Sequence, residues 1–268
     1  MATLLEASQL TVTYGGLHAN DHINLAVEEG RIVGLIGPNG AGKTTFIDAI
    51  TGFTAPSSGD VRFDGQSINL LAPHARADLG LTRTFQSLEL FEDLSVWDNL
   101  LAAAERPRWY SSLLDMVRPR RPLGIEEQAA WALDLLGLQA NRDRLPSDLS
   151  HGQRKLVSVA RALANRPRLV LLDEPAAGLD TTESQVLGSH LRLLLSRGIT
   201  VFLIDHDMGL VLNVCDYLYV LDFGRIIAEG TPQEIRSNPA VIGAYLGESA
   251  GELQAEEGRS AAQNLQGG

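Results

Sequence analysis

The chain has 268 residues, 44% hydrophobic and 21% charged, enough to bury the core of one large domain or two small lobes. Its 33 carboxylates outweigh 22 Lys and Arg, which argues against a protein that coats nucleic acid, because phosphate binding asks for a net basic face. The single cysteine, Cys215, excludes an intramolecular disulfide and points to a reducing compartment; the start MATLLEASQL reads as no signal peptide, and no run approaches the roughly 18 to 20 apolar residues that span a bilayer.

The elements follow in order. LLEASQLTVTY and HINLAVEEG read as strands separated by Gly15 and Gly16. RIVGLIG, Arg31 to Gly37, is a short apolar run of the kind that makes a buried parallel strand, and KTTFIDAI reads as the helix after it. DVRFDGQSI reads as strand with an Asp64-Gly65 turn. From about residue 88 to 166 the pattern becomes helical. LSVWDNLLAAAE and EEQAAWALDLLGL are helices, the second stopped by Gly137. In RKLVSVARALANRP, Leu156, Val159, Ala160 and Leu163 fall on one helical face. Strands return with RLVLLD and ITVFLID, separated by a helix over Glu183 to Leu195, and DYLYVLDFGRIIAEG turns near Phe223 and Gly224. This alternation predicts an α/β fold: a parallel sheet with helices on its faces and a helical segment inserted at about 88–166. The domain runs from 1 to 248, and the polar, glycine-rich stretch 249–268 reads as a disordered tail.

The chemistry begins at Leu35, in LIGPNGAGKTT. Gly37-Pro38-Asn39-Gly40-Ala41-Gly42-Lys43-Thr44, followed by Thr45, fits G-x-x-x-x-G-K-[ST]. Glycines let the backbone curl so that several N–H groups face one phosphate chain, and the helix that follows adds its positive end. Lys43 neutralises the β- and γ-phosphates, and the Thr44 hydroxyl can hold Mg²⁺. A random match somewhere in a chain of this length has odds of about 1%. Leu169-Val170-Leu171-Leu172-Asp173 places a carboxylate at the carboxyl end of an apolar strand, where ligands of open α/β sheets bind. There Asp173 can serve the metal and Glu174 the attacking water. Ser150, in Leu149-Ser150-His151-Gly152-Gln153, caps a second helix and makes a second anion site.

Together these motifs resemble the ATP-binding subunits of ABC transporters, from about Leu4 to Glu248. The family signature LSGGQ stands here as LSHGQ, with His151 replacing a glycine. The resemblance implies a RecA-like P-loop core with an N-terminal antiparallel β subdomain and an inserted helical subdomain. It assigns Tyr14 to adenine stacking, Gln86 of RTFQSLELF to Mg²⁺ or the attacking water, Asp180 to the D-loop, and His206 of VFLIDHDM to the γ-phosphate. Tyr14, Gln86 and His206 each have an ordinary structural account as well: a strand aromatic, a surface amide, a strand-end polar residue. Their joint order and spacing carry the functional one. The resemblance further implies a head-to-tail pair, with each ATP on the P-loop of one subunit and under Ser150, His151, Gly152 and Gln153 of the other. The second ATPase subunit is identical or, as in the branched-chain importers, different. Transmembrane permease subunits, and indirectly a solute-binding protein, complete the expected assembly on the cytoplasmic face of the membrane, with no nucleic acid.

Within the family, GPNGAGKTT, RTFQ, LFEDLSVWDNL, DEPAAGL, DHDM and NPAVIGAYLGE, with the long insert around Arg106 to Pro122, look like the ATPases of branched-chain (hydrophobic) amino acid importers. ATPases of urea uptake or lipopolysaccharide export are similar. A soluble ABC ATPase is the third alternative, although such proteins carry paired domains or a long coiled coil that this chain lacks. The basic residues Arg106, Arg108, Arg118, Arg120 and Arg121 are either a solvated face or a contact for anionic headgroups or an acidic partner.

Overall fold

The computed structural model describes residues 2–84, 89–105 and 124–245. Gln86, the basic stretch between Arg106 and Arg121 and the tail 249–268 lie outside the described residues. The strands sort into two sheets. In the first, β1 (Thr3–Tyr14) lies between β2 (Leu17–Glu28) and β4 (Ser58–Phe63), with the short β5 (Gln66–Ser67) at the edge, every pair antiparallel. The second has six strands in the order β10-β9-β3-β8-β7-β6. Here β3 (Ile32–Ile36), β6 (Leu81–Arg83), β7 (Leu169–Asp173), β8 (Thr200–Ile204) and β9 (Tyr217–Asp222) run parallel, and only β10 (Arg225–Gly230) is antiparallel.

The central strands are apolar throughout because both faces of the sheet are covered. Their period of two divides the side chains between two cores. Val33, Leu35, Leu169, Leu171, Phe202 and Ile204 face helix α1 (Lys43–Thr51) and the antiparallel sheet. Ile32, Ile36, Val170, Leu172, Val201 and Leu203 face the helices on the other side. Asp173 has the parity of Leu169 and Leu171, so it ends β7 on the same face as α1.

Between β6 and β7 the described residues are helical: α3 (Val96–Ala104), α4 (Ile125–Leu135) and α5 (His151–Leu163), with 3₁₀ turns at Gln139–Asn141 and Pro146–Asp148. In α4, Ile125, Ala129, Ala132 and Leu133 form the buried stripe, and Gly137 follows the last turn in a left-handed conformation. α5 departs from the expected stripe. Val159, Ala160 and Leu163 are buried, but Leu156 is only half-buried, and Lys155 beside it is buried instead. α5 packs against α3 and α4 and also against β6 and β7, so its buried arc is wider than one stripe. The remaining helices are α2 (Pro73–Asp78), α6 (Thr181–Ser196), α7 (Met208–Val214) and α8 (Pro232–Arg236). α6 starts two residues before the expected Glu183, because the Asp180 carboxylate accepts the Glu183 backbone N–H at 2.8 Å and caps the helix there.

One buried charge fixes the phosphate-loop helix. Arg76 on α2 is 2% exposed. Its guanidinium donates to the carbonyls of Ala49 and Ile50, in the last turn of α1, and to that of Leu71, at 2.8 to 2.9 Å. Burial pulls its pKa down, yet the carbonyls at the negative end of α1 hold the cation. Arg76→Ala is expected to cost about 3 kcal/mol, because it orphans buried carbonyls and opens a void. Denaturant unfolding would measure it, and a loss under 1 kcal/mol would contradict the role.

Candidate functional site

Five parallel strands bring their carboxyl ends to one edge of the sheet, and the candidate residues sit in the loops that leave it. β3 leads into Gly37–Gly42. Gly37 and Gly42 have φ of +153° and +103°. A Cβ on Gly37 would lie 2.0 Å from the Leu221 carbonyl oxygen, and one on Gly42 would lie 2.4 Å from that of Ala19. No other residue fits at either point. The loop is braced from outside. Asn20 Nδ2 donates to the Gly42 carbonyl at 3.1 Å, and the Gly224 N–H donates to the Ala41 carbonyl at 2.9 Å. Lys43 is 8% exposed, and its Nζ donates to the carbonyls of Gly37 and Pro38 at 2.6 and 2.8 Å. The ammonium is thus laid along the concave side of the loop. Asn39, Gly40 and Thr44 are exposed, and Thr45 is half-buried.

β7 delivers Asp173, 7% exposed. Its carboxylate accepts Arg83 Nη2 at 2.8 Å, while Nη1 of the same guanidinium donates to Asp48 on α1 at 2.5 Å. The Asp173 N–H donates to the Thr84 hydroxyl at 3.3 Å. Arg83 and Thr84, at the end of β6, therefore tie the β7 carboxylate to the phosphate-loop helix. Sequence reasoning missed Arg83. Its signal was a basic residue in a short strand three positions before Gln86.

Glu174 leaves the strand with φ +48°, a left-handed conformation unusual for a residue with a side chain. Its N–H donates to the Ile204 carbonyl at 2.7 Å. Next to it, after β8, Asp205 is fully buried and accepts the N–H groups of Ala176 and Asp207 at 2.9 and 3.0 Å. These bonds lock the 174–177 turn to the 205–207 turn. They set His206, 59% exposed, with Nδ1 at 3.9 Å from Glu174 Oε2. Asp205 was also missed, although the D-H-D run after an apolar strand marks it.

A cavity of about 420 Å³ runs along this edge. It is lined by Asn39 to Thr45 and Glu174, with Leu17, His18, Phe223 and Gly224. Tyr14 is not in that lining: it stands at the end of β1, 52% exposed, its hydroxyl 3.3 Å from that of Thr54. The large apolar side chains of that lining are Leu17 and Phe223, neither of which the sequence reading assigned to the site.

The Ser150 helix end, read from the sequence as a second anion site, lies apart. Ser150 caps α5, its hydroxyl accepting the Gln153 N–H at 3.2 Å while Gln153 Oε1 accepts the Ser150 N–H at 3.0 Å. Ser150, Gly152 and Gln153 line a different cavity, of about 170 Å³, with Leu179 and Glu183. His151 is exposed, with Nε2 3.3 Å from the Ala177 carbonyl. It links the start of α5 to the turn leading to Asp180, a contact that a glycine cannot make.

A glycine-curled loop, its lysine and the Glu174 carboxylate facing one cavity, with Asp173 at the strand end beside it, define a P-loop nucleotide-binding ATPase. The sequence matches the family described as ABC transporter over residues 20–177, and over residues 225–251 the one described as branched-chain amino acid ATP-binding cassette transporter. The chain belongs to the ABC transporter ATPases, as the sequence motifs led one to expect. It is 41% identical over 251 residues to the high-affinity branched-chain amino acid transport ATP-binding protein BraF of Pseudomonas aeruginosa, covering 92% of this chain and 98% of that one. The fold is similar to the ADP conformation of MJ1267, an ATP-binding cassette of an ABC transporter, with TM-score 0.83, 33% identity, and coverage of 92% and 100%. It is also similar to the dimeric structure of MJ0796, a bacterial ABC transporter cassette, with TM-score 0.70, 25% identity, and coverage of 85% and 99%.

Proposed function

We propose that this chain powers uptake of branched-chain or similarly hydrophobic amino acids by hydrolysing ATP between itself and a second ATPase subunit, docked on a membrane permease. One observation carries the mechanism: within one chain the P-loop and the Ser150 helix end line separate cavities. Two phosphate-facing helix ends serve one ATP only if the second comes from another subunit, head to tail. The amino acid class rests on the likeness to BraF and on the match over residues 225–251.

In this reading the loop N–H groups and Lys43 bind the β- and γ-phosphates. Leu17 and Phe223 offer apolar surface to the base, with Tyr14 at the rim. Glu174 takes the proton of the attacking water, and His206 faces the γ-phosphate. The donor set suits Mg²⁺, which takes one or two protein oxygens and completes its shell with water and phosphate. Thr44 and Asp173 are those oxygens, with Gln86 as a further ligand by its place in the motif. Bound there, the ion would neutralise charge developing on the phosphates. Ser150, Gly152 and Gln153 of the partner close over the γ-phosphate, with Asp180 beside the interface, and loss of that phosphate lets the pair part. The partner ATPase is a different chain, a solute-binding protein delivers the amino acid, and the complex works at the cytoplasmic face. No helix among the described residues is long and apolar enough to cross a membrane, so membrane attachment in this reading comes through the permease.

Uptake of labelled leucine, isoleucine and valine by cells lacking this chain tests the proposal. Expected is loss of high-affinity uptake, restored by the wild-type chain but not by Lys43→Ala. Unchanged amino acid uptake with lost urea uptake would move the chain to the urea alternative.

A further inference from the structure

Lys155 is the buried charge that the reading above leaves without a task. It sits on α5 at 6% exposure, taking the burial that the sequence pattern gave to its neighbour Leu156. An ammonium is not placed there for packing, because burying it costs several kcal/mol unless its protons are accepted. Its Nζ donates to the backbone carbonyl of Glu174 at 3.1 Å. Desolvation lowers its pKa, while the charges of Asp205, Glu174 and Asp173 pull it back up.

Glu174 needs such a hold. Its left-handed backbone costs about 1 kcal/mol or more and persists only where neighbours over-determine it. Three hydrogen bonds do so: its N–H to Ile204, and its carbonyl from the Ala177 N–H at 3.2 Å and from Lys155. The first two come from β8 and from the turn itself. Only the third comes from α5, the helix whose first turn carries Ser150.

We propose that Lys155 is a positioning residue that fastens the Glu174 backbone to the helix carrying Ser150, so that the water-activating carboxylate is aimed only when that helix is seated. Lys155 also lines the cavity of Ser150, Gly152 and Gln153, but its ammonium donates to the Glu174 carbonyl. It acts through the peptide of Glu174, and it joins the site on one face of the chain to the helix end that serves the other nucleotide of the pair. The inference rests on Glu174 being the catalytic base, as proposed above.

The test uses full-length chain in the assembled complex. Lys155→Met keeps the length of the side chain and removes its charge. The expected result is a kcat for ATP at least tenfold lower, KM within twofold of wild type, and no fall in Tm, since an apolar chain suits this site. Lys155→Arg, which can still donate, regains at least a third of the wild-type kcat. In a Glu174→Gln background, Lys155→Met lowers the residual rate by less than twofold, because both changes act on one group. A Lys155→Met enzyme within twofold of wild-type kcat overturns the inference. So does a kcat loss that follows a falling Tm without rescue by arginine, or a loss that multiplies fully with Glu174→Gln. Brisk turnover in Glu174→Gln alone would instead remove the catalytic assignment on which the inference stands.

Discussion

Glu174→Gln is expected to leave ATP binding intact and to reduce turnover at least a hundredfold, the range that a general base contributes. The substitution is nearly isosteric. The bonds that hold the residue are backbone bonds to Ile204, Ala177 and Lys155, so the amide should occupy the place of the carboxylate. What disappears is the group proposed to take a proton from water beside His206. ATP then stays clasped, and the pair of ATPase subunits accumulates closed. Phosphate release measures the first effect, and light scattering with ATP measures the second. A variant that still turns over briskly, or that stays monomeric with ATP and its cognate subunit supplied, contradicts the mechanism.

The second large effect concerns the grip itself. Lys43→Ala is expected to weaken ATP binding by roughly 3 kcal/mol, the worth of a good hydrogen bond to a charged group, or about two decades in Kd. The structure explains why so much hangs on one side chain. Lys43 is buried in the curve of the loop, already directed by the Gly37 and Pro38 carbonyls, so little ordering remains when phosphate arrives. Titration with a fluorescent ATP analogue gives the number. An unchanged Kd would show that the phosphates lie elsewhere.

The two effects divide binding from chemistry, and the same division runs through the geometry. The binding loop hangs from β3 and is braced by β2 and by the β9–β10 turn. The residues proposed for the chemistry hang from β7 and β8, tied to one another through Asp205. Arg83 bridges the two halves, with one end on Asp48 of α1 and the other on Asp173.

Much of this was legible without coordinates. The phosphate loop could be read because its chemistry is local. A backbone that must curl around phosphate needs glycine at fixed offsets, and Gly37 and Gly42 have no room for a side chain. The strand that ends in Asp173 and the cap at Ser150 were equally plain, since each depends on a handful of neighbouring residues. The alternation of buried strands with helices followed from periodicity alone, and with it the α/β class. The LSHGQ and DHDM runs supplied the family by their order.

What the tertiary structure decided are contacts between residues far apart in the chain. Arg83 and Asp173 are 90 positions apart, Lys155 and Glu174 are 19, and Arg76 and Ala49 are 27. Nothing in the local sequence of a lysine on a helix says that its ammonium will be buried against a carbonyl. That outcome depends on which strand packs beneath the helix and at what height. For the same reason the sequence did not place Leu17 and Phe223 in the cavity wall, where the fold brings them, whereas Tyr14 stands outside that lining. Sequence periodicity determines which face of an element is buried, because apolar side chains must leave water wherever the element goes. Which charged side chains meet there is set by the relative placement of elements, and only the packed chain defines it.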